Sequence, residues 1–222
     1  MYNCPYSQQD YNQYSTSFMR QDLFSYARLL HASPDAPAVD VYLNDRKVAS
    51  NLTYRNFTGY LKIPTGLYTI KVYPAGTTTN PVISTQLQVP ARSIYTLAVI
   101  GKLQDVSLQP ILEPVISYNP GTSLIRFIHL SPNTPPVDIT LPNGQRLFKD
   151  VEYREVTGYI PVNPGTYTIQ ARPAGTDNIV LVVPNINLLP NRIYSVYIIG
   201  LLDGNPTLQV LIPLDGSTYL KF

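Results

Sequence analysis

A chain of 222 residues holds one large domain or two of ordinary size. Apolar residues make up 44% of it and charged residues 14%, which excludes a disordered composition and leaves enough apolar surface to build cores. Sixteen basic and fourteen acidic residues, scattered singly, sum to a formal charge of +2, so neither nucleic acid nor an anionic membrane surface is expected as a partner.

Residues 1–25 contain four Tyr, four Gln and four Ser without a periodic apolar pattern, and this segment is expected to be a flexible tail. It has no apolar run of signal-peptide length, and no stretch of the chain approaches the ~20 apolar residues of a membrane span. The expectation is synthesis in the cytoplasm with no membrane insertion. Cys4 is the only cysteine, which leaves it a free thiol or an intermolecular disulfide and excludes a stapled core.

Beyond the tail, 20 of the 21 prolines and all 12 glycines punctuate the chain in the manner of short strands joined by tight turns. Period-two patterning predicts strands at 26–32, 39–43, 57–63, 67–73, 82–89, 93–100 and 106–111. Val39, Val41 and Leu43 share one face, with Asp40 and Tyr42 on the other. Tyr68, Ile70 and Val72 alternate in the same way with Thr69 and Lys71. Pro64-Thr65-Gly66 supplies a fixed φ and then a residue tolerant of positive φ, as a hairpin corner requires.

The second half repeats the first. Residues 28–43 (RLLHASPDAPAVDVYL) align without gaps to 126–141 (RFIHLSPNTPPVDITL), with eight of sixteen positions identical. LTYRNFTGY at 52–60 meets VEYREVTGY at 151–159, and IYTLAVIG at 94–101 meets IYSVYIIG at 193–200. Identities spread over the whole unit indicate duplication. The predicted organisation is a tail (1–25), a first repeat (26–113), a linker (114–122) and a second repeat (123–222). The fold class is all-β: two tandem antiparallel β-sandwich domains of immunoglobulin-like or transthyretin-like kind.

The polar residues that recur are Arg28, His31, Ser33 and Asp40 in the first repeat and Arg126, His129, Ser131 and Asp138 in the second. A catalytic site is assembled once from different residues, whereas a motif copied with the fold is explained by the fold. The expected role of each histidine is a buried ring bonded to backbone near the Ser-Pro turn, with Asp40 or Asp138 as a partner. A Ser-His-Asp triad drawn from Ser33, His31 and Asp40, or from Ser131, His129 and Asp138, lacks a nucleophile elbow to expose the hydroxyl. One histidine per repeat with no cysteine beside it does not make a typical zinc site. Asp35, Asp40 and Asp45 do not fit an EF-hand spacing, and Asn133 replaces Asp35 in the second repeat. No catalytic, metal-binding or cofactor-binding residues are predicted.

Both repeats resemble the bacterial family of domains of unknown function numbered 4397. The resemblance is carried by Arg-x-x-His-x-Ser-Pro at 28–34 and 126–132, Val-Asp at 39–40 and 137–138, Thr-Gly-Tyr at 58–60 and 157–159, and Pro-Ala-Gly at 74–76 and 173–175. It implies a β-sandwich of envelope- or surface-associated type with no established enzymatic role. By analogy, a Tyr-rich chain with an N-terminal cysteine and no signal peptide is similar to spore-surface components. The expected function is a non-enzymatic structural or adhesive protein of a bacterial cell or spore surface. Its expected partners are itself, through the tail, or other surface-layer proteins. The alternative is a glycan- or peptide-binding module; a hydrolase is the third reading.

Overall fold

The computed structural model describes residues 23–222; of the tail expected over residues 1–25, residues 1–22 and with them the Cys4 bridge lie outside the described residues, while Phe24 and Ser25 already belong to the first strand. The first repeat contains eight strands: β1 (Phe24–His31), β2 (Val39–Leu43), β3 (Arg46–Leu52), β4 (Leu61–Pro64), β5 (Gly66–Pro74), β6 (Ile83–Val89), β7 (Ile94–Ile100) and β8 (Ser107–Leu112). The second repeats them as β9 (Ser123–His129), β10 (Val137–Thr140), β11 (Arg146–Val151), β12 (Ile160–Val162), β13 (Gly165–Pro173), β14 (Leu181–Leu188), β15 (Arg192–Ile199) and β16 (Gln209–Leu211). The fold class is all-β, two tandem sandwiches.

Each repeat stacks two four-stranded sheets. In the first the orders are β4-β1-β7-β8 and β3-β2-β5-β6; in the second they are β12-β9-β15-β16 and β11-β10-β13-β14. Pairing is antiparallel except where β1 lies beside β7 and β9 beside β15, both parallel. The chain thus enters and leaves each sandwich through the same sheet, which holds the motif strands β1 and β9 in its middle.

Two local readings change. The strand predicted at 57–63 is formed only from Leu61, while Phe57 makes a single bridge to Leu30. The extra strand β3 follows a two-residue turn in which Asn44 and Asp45 both take positive φ, 46° and 63°. That is the geometry of a tight hairpin whose twist matches its strands. A register shift between Val39 and Val41 then breaks the alternation of β3, so its sequence carries no clean period of two.

Each sandwich has its own apolar core. Ala27, Leu29, Val41, Ile70, Val72 and Leu97 are central to the first, and Phe127, Ile139, Ile169, Val196 and Ile198 to the second. A third core joins the repeats. It is built from the opposite faces of β1, β7, β9 and β15, where Leu30 and Ile100 meet Ile128, Tyr197 and Ile199. These strands are therefore covered on both sides, which is why Ile94–Ile100 and Ile193–Ile199 read as nearly continuous apolar runs.

Candidate functional site

Along β1, Ala27 and Leu29 point into the sandwich, so Arg28 and Leu30 point out of it toward the other repeat; β9 does the same with Arg126 and Ile128. Both arginines are buried. The Arg28 Nε donates to Thr96 Oγ1 at 2.7 Å, and the Arg126 Nε donates to Ser195 Oγ at 2.7 Å. Thr96 and Ser195 are equivalent residues of β7 and β15, so each arginine is fixed first by its own sheet.

The remaining guanidinium nitrogens reach across. Arg28 Nη1 donates to the Leu214 carbonyl at 3.0 Å, and Arg126 Nη1 donates to the Leu112 carbonyl at 2.7 Å. Arg28 Nη2 pairs with Glu113 at 3.1 Å, while Arg126 Nη2 lies 3.4 Å from Asp215. Glu113 follows β8 and Asp215 occupies the equivalent place in the second repeat. Arg28 Nη2 also approaches Asp215 at 3.9 Å, closing a four-charge cluster of zero net charge.

Tyrosines complete it. Tyr60 Oη donates to Glu113 Oε2 at 2.6 Å, and Tyr159 Oη donates to Asp215. Arg28 stacks over the Phe57 and Tyr60 rings at 4.8 and 4.7 Å, and Arg126 over Tyr159 at 4.7 Å. The backbone N–H of Gly216 donates to Glu113 Oε2 at 2.6 Å. From there the C-terminal segment continues onto the first repeat: Tyr219 meets Tyr60, Tyr26 Oη donates to the Lys221 carbonyl, and Phe222 lies against Phe24 and Tyr26.

Burial opposes the charge on Arg28, but Glu113, Tyr197, Tyr60 and Asp215 outweigh it and its pKa is raised. Burial, and then the nearby Glu113 carboxylate, push Asp215 up to about 6. Burial first and carboxylates second push Tyr60 and Tyr159 well above the ordinary phenol range, so both remain neutral donors. Separating such charges from their partners costs several kcal/mol, so the cluster favours one way of docking the two repeats.

The other motif residues serve the sandwiches. His31 and His129 are fully buried at the ends of β1 and β9. Their Nε2 atoms lie 2.9 Å from the Pro37 carbonyl and 3.3 Å from the Pro135 carbonyl, where the ring N–H is the donor. Burial lowers both histidine pKa values. The aspartates are not the histidines' partners. Asp40 accepts from Lys47 Nζ at 2.7 Å, from the Asn51 N–H at 2.8 Å and from the Gly76 N–H at 3.2 Å. Lys47 first and Asn51 second hold its carboxyl below the usual range. Asp138 accepts from the Asp150 N–H at 2.8 Å and pairs with Arg146 at 3.1 Å. Asn51 and Asp150 both have φ of 52°, so each aspartate ties down a left-handed residue in the neighbouring strand.

Neither serine hydroxyl bonds a histidine. Ser33 is buried with its hydroxyl unpaired, and Ser131 Oγ donates to the Gly200 carbonyl at 2.7 Å. The two drawn triads are therefore not assembled. Asp35 Oδ1 accepts from the Leu103 N–H and Asn133 Oδ1 from the Leu202 N–H. This shared role needs only a side-chain oxygen, which explains why Asp and Asn interchange there. Asp45 pairs with Lys71 at 2.7 Å.

Sequence reasoning singled out Arg28 and Arg126 but missed Glu113, Asp215, Thr96, Ser195, Tyr60 and Tyr159 as their partners. A signal was present for Tyr60 and Tyr159, which recur at the repeat offset of 99, and a weaker one for Thr96, where Ser195 keeps the hydroxyl; Glu113 falls opposite Ile212 at that offset, so its equivalence to Asp215 shows only in the fold. The class this architecture defines is a double β-sandwich whose halves are docked through an apolar core and a buried charge cluster. The family described as Domain of unknown function (DUF4397) matches residues 25–140 and 123–218, and the chain belongs to that family.

No protein of curated function matches the chain. Among solved structures, it is similar to the Bacillus anthracis TIE protein at 12% identity and a TM-score of 0.23, covering 80% of this chain and 34% of that one. The chain thus spans about a third of that protein's length. It is also similar to a family 26 carbohydrate-binding module from Eubacterium rectale solved with maltoheptaose, at 8% identity and a TM-score of 0.28, covering 87% and 99% of the two chains. A protein of Bacteroides ovatus described as a putative cell adhesion protein matches at 13% identity and a TM-score of 0.26, covering 88% and 97%.

Proposed function

We propose that the protein is a non-enzymatic structural or adhesive module of a bacterial cell or spore surface. The observation that carries this reading is the fate of the recurrent polar residues. His31, Ser33, Asp40 and Arg28, with their second-repeat equivalents, are all buried; the Ser33 hydroxyl is unpaired, and the side-chain bonds of the others join strands, turns or the two repeats. Chemistry on an external substrate needs such groups at an accessible surface. Among the described residues, the exposed surface carries hydroxyl, amide and charged groups together with apolar side chains such as Leu67, Val115 and Val182. A docked tandem of this kind suits a spacer, and Cys4 with the residues around it suits a connection between copies. Concentrated full chain under oxidising conditions is expected to give higher-order species on non-reducing gels that vanish with reductant or with Cys4→Ala. A chain that stays monomeric under those conditions refutes the self-assembly.

A second reading, glycan binding, rests on the outer face of β2 and β5. There the half-buried Tyr42 meets the buried Tyr73 edge to face at 5.4 Å, beside Lys71 and Lys47, which leaves the Tyr42 ring as the one a ligand would reach. Aromatic rings next to charged and hydroxyl groups suit the apolar faces and hydroxyls of a sugar. Thermal-shift screening with wall and surface glycans separates the two, because a spacer shows no saturable stabilisation.

A further inference from the structure

We propose that the joint between the repeats is a self-sufficient interface, able to form between a first and a second repeat on separate chains as it does within one, with the linker supplying proximity rather than the interface. This does not depend on the adhesive reading.

The argument starts from equivalence. The apolar core between the repeats pairs off: Leu30 with Ile128, Ile100 with Ile199, and Tyr54 with Tyr153 occupy matching positions in the two repeats. The polar contacts are reciprocal as well. Arg28 of the first repeat bonds the Leu214 carbonyl of the second, and Arg126 of the second bonds the Leu112 carbonyl of the first. An interface in which the same patch is used twice, with i touching j and j touching i, is that of a two-fold dimer. Here it has been fused into one chain.

The symmetry is incomplete: Ala32 matches Leu130, Phe57 matches Val156, and the largest difference lies at Tyr197. Tyr197 is fully buried and meets Phe57 of the first repeat edge to face at 5.9 Å, whereas the first repeat has Ala98 at the matching position. A large residue on one side and a small one on the other favours pairing of unlike repeats. Two second repeats would have to place two Tyr197 rings, and two first repeats would lack both.

Between the repeats, residues 114–122 form no strand, and Val115 is 66% exposed. A tether of this length raises the local concentration of its ends to the order of millimolar. It adds none of the apolar or charged contacts described.

The test uses the full chain with a protease recognition sequence inserted after Ser117. After cutting, the two halves are expected to co-elute at the mass of the uncut chain at micromolar concentration. When cut chain is unfolded in urea and refolded with a copy tagged on its first repeat, the tagged repeat is expected to recover untagged second repeats. Arg126→Met is expected to weaken co-elution of the cut halves at least tenfold while the uncut chain stays whole. Separation or aggregation of the cut wild-type halves overturns the proposal. So does recovery of tagged first repeat with untagged first repeat.

Discussion

Replacing Arg28 by Met removes the cation but keeps an unbranched apolar stem against Phe57 and Tyr60. Three donated bonds disappear, to Thr96, Glu113 and the Leu214 carbonyl. Glu113 is left buried without its cation, although it still accepts from Thr96, Tyr60 and Gly216. Breaking a buried pair costs about 3–5 kcal/mol, and these surviving donors place the loss near the lower end, about 3 kcal/mol. For a chain of this size that lowers Tm by about 6–12 °C. The assay is urea unfolding followed by far-ultraviolet dichroism, with calorimetry to locate the transition. The double variant Arg28→Met with Glu113→Gln should regain at least about 1.5 kcal/mol, because the uncompensated charge is gone. A single variant within about 1 kcal/mol of wild type, or a double variant no better than the single, refutes the role assigned to the cluster.

His31 and His129 have lowered pKa values in the folded state, so the unfolded chain binds more protons below its ordinary value of 6.5. Their contribution is fully present above about pH 6.5 and is lost as pH falls further; His31→Gln with His129→Gln should flatten that slope in a Tm-against-pH series. Asp215 acts in the opposite direction. Its folded pKa of about 6 stands above the ordinary carboxyl value of 3.8, so its contribution declines as pH rises through that window. Asp215→Asn should therefore make the loss of stability on acidification from pH 6 to 4 steeper than in wild type. A Cβ on Gly216 would lie 2.7 Å from Leu220 Cδ1 and 2.9 Å from Ile94 Cγ2 and Tyr60 Cζ. Gly216→Ala should cost about 1–3 kcal/mol by overpacking, measured by urea unfolding. Gly158→Ala, where a Cβ meets nothing within 4 Å, is the control expected to stay near wild type.

The duplication, the all-β class and the inward faces of β2, β5, β10 and β13 were legible because they are local. A match at fixed offset needs no geometry, and a period of two assigns a half-buried strand to its face. The missed strand β3 shows where that reading ends. Its turn depends on positive φ at Asn44 and Asp45, and its register shift erases the alternation. The notion that Asp40 and Asp138 serve the histidines failed for a similar reason, since their partners lie on neighbouring strands and turns.

By itself, the sequence determined that Arg28 and Arg126 recur, that β7 and β15 are apolar throughout, and that no recurrent polar residue sits in a recognisable catalytic pattern. Only the tertiary structure decided that the arginine-bearing faces are buried against each other. An outward arginine on a strand has the same one-dimensional signature whether water or another sandwich covers it. Arg28 and the Leu214 carbonyl are separated by 186 positions in the chain, a distance over which no pattern reports. Burial, not spacing, turned four scattered charges into a neutral joint.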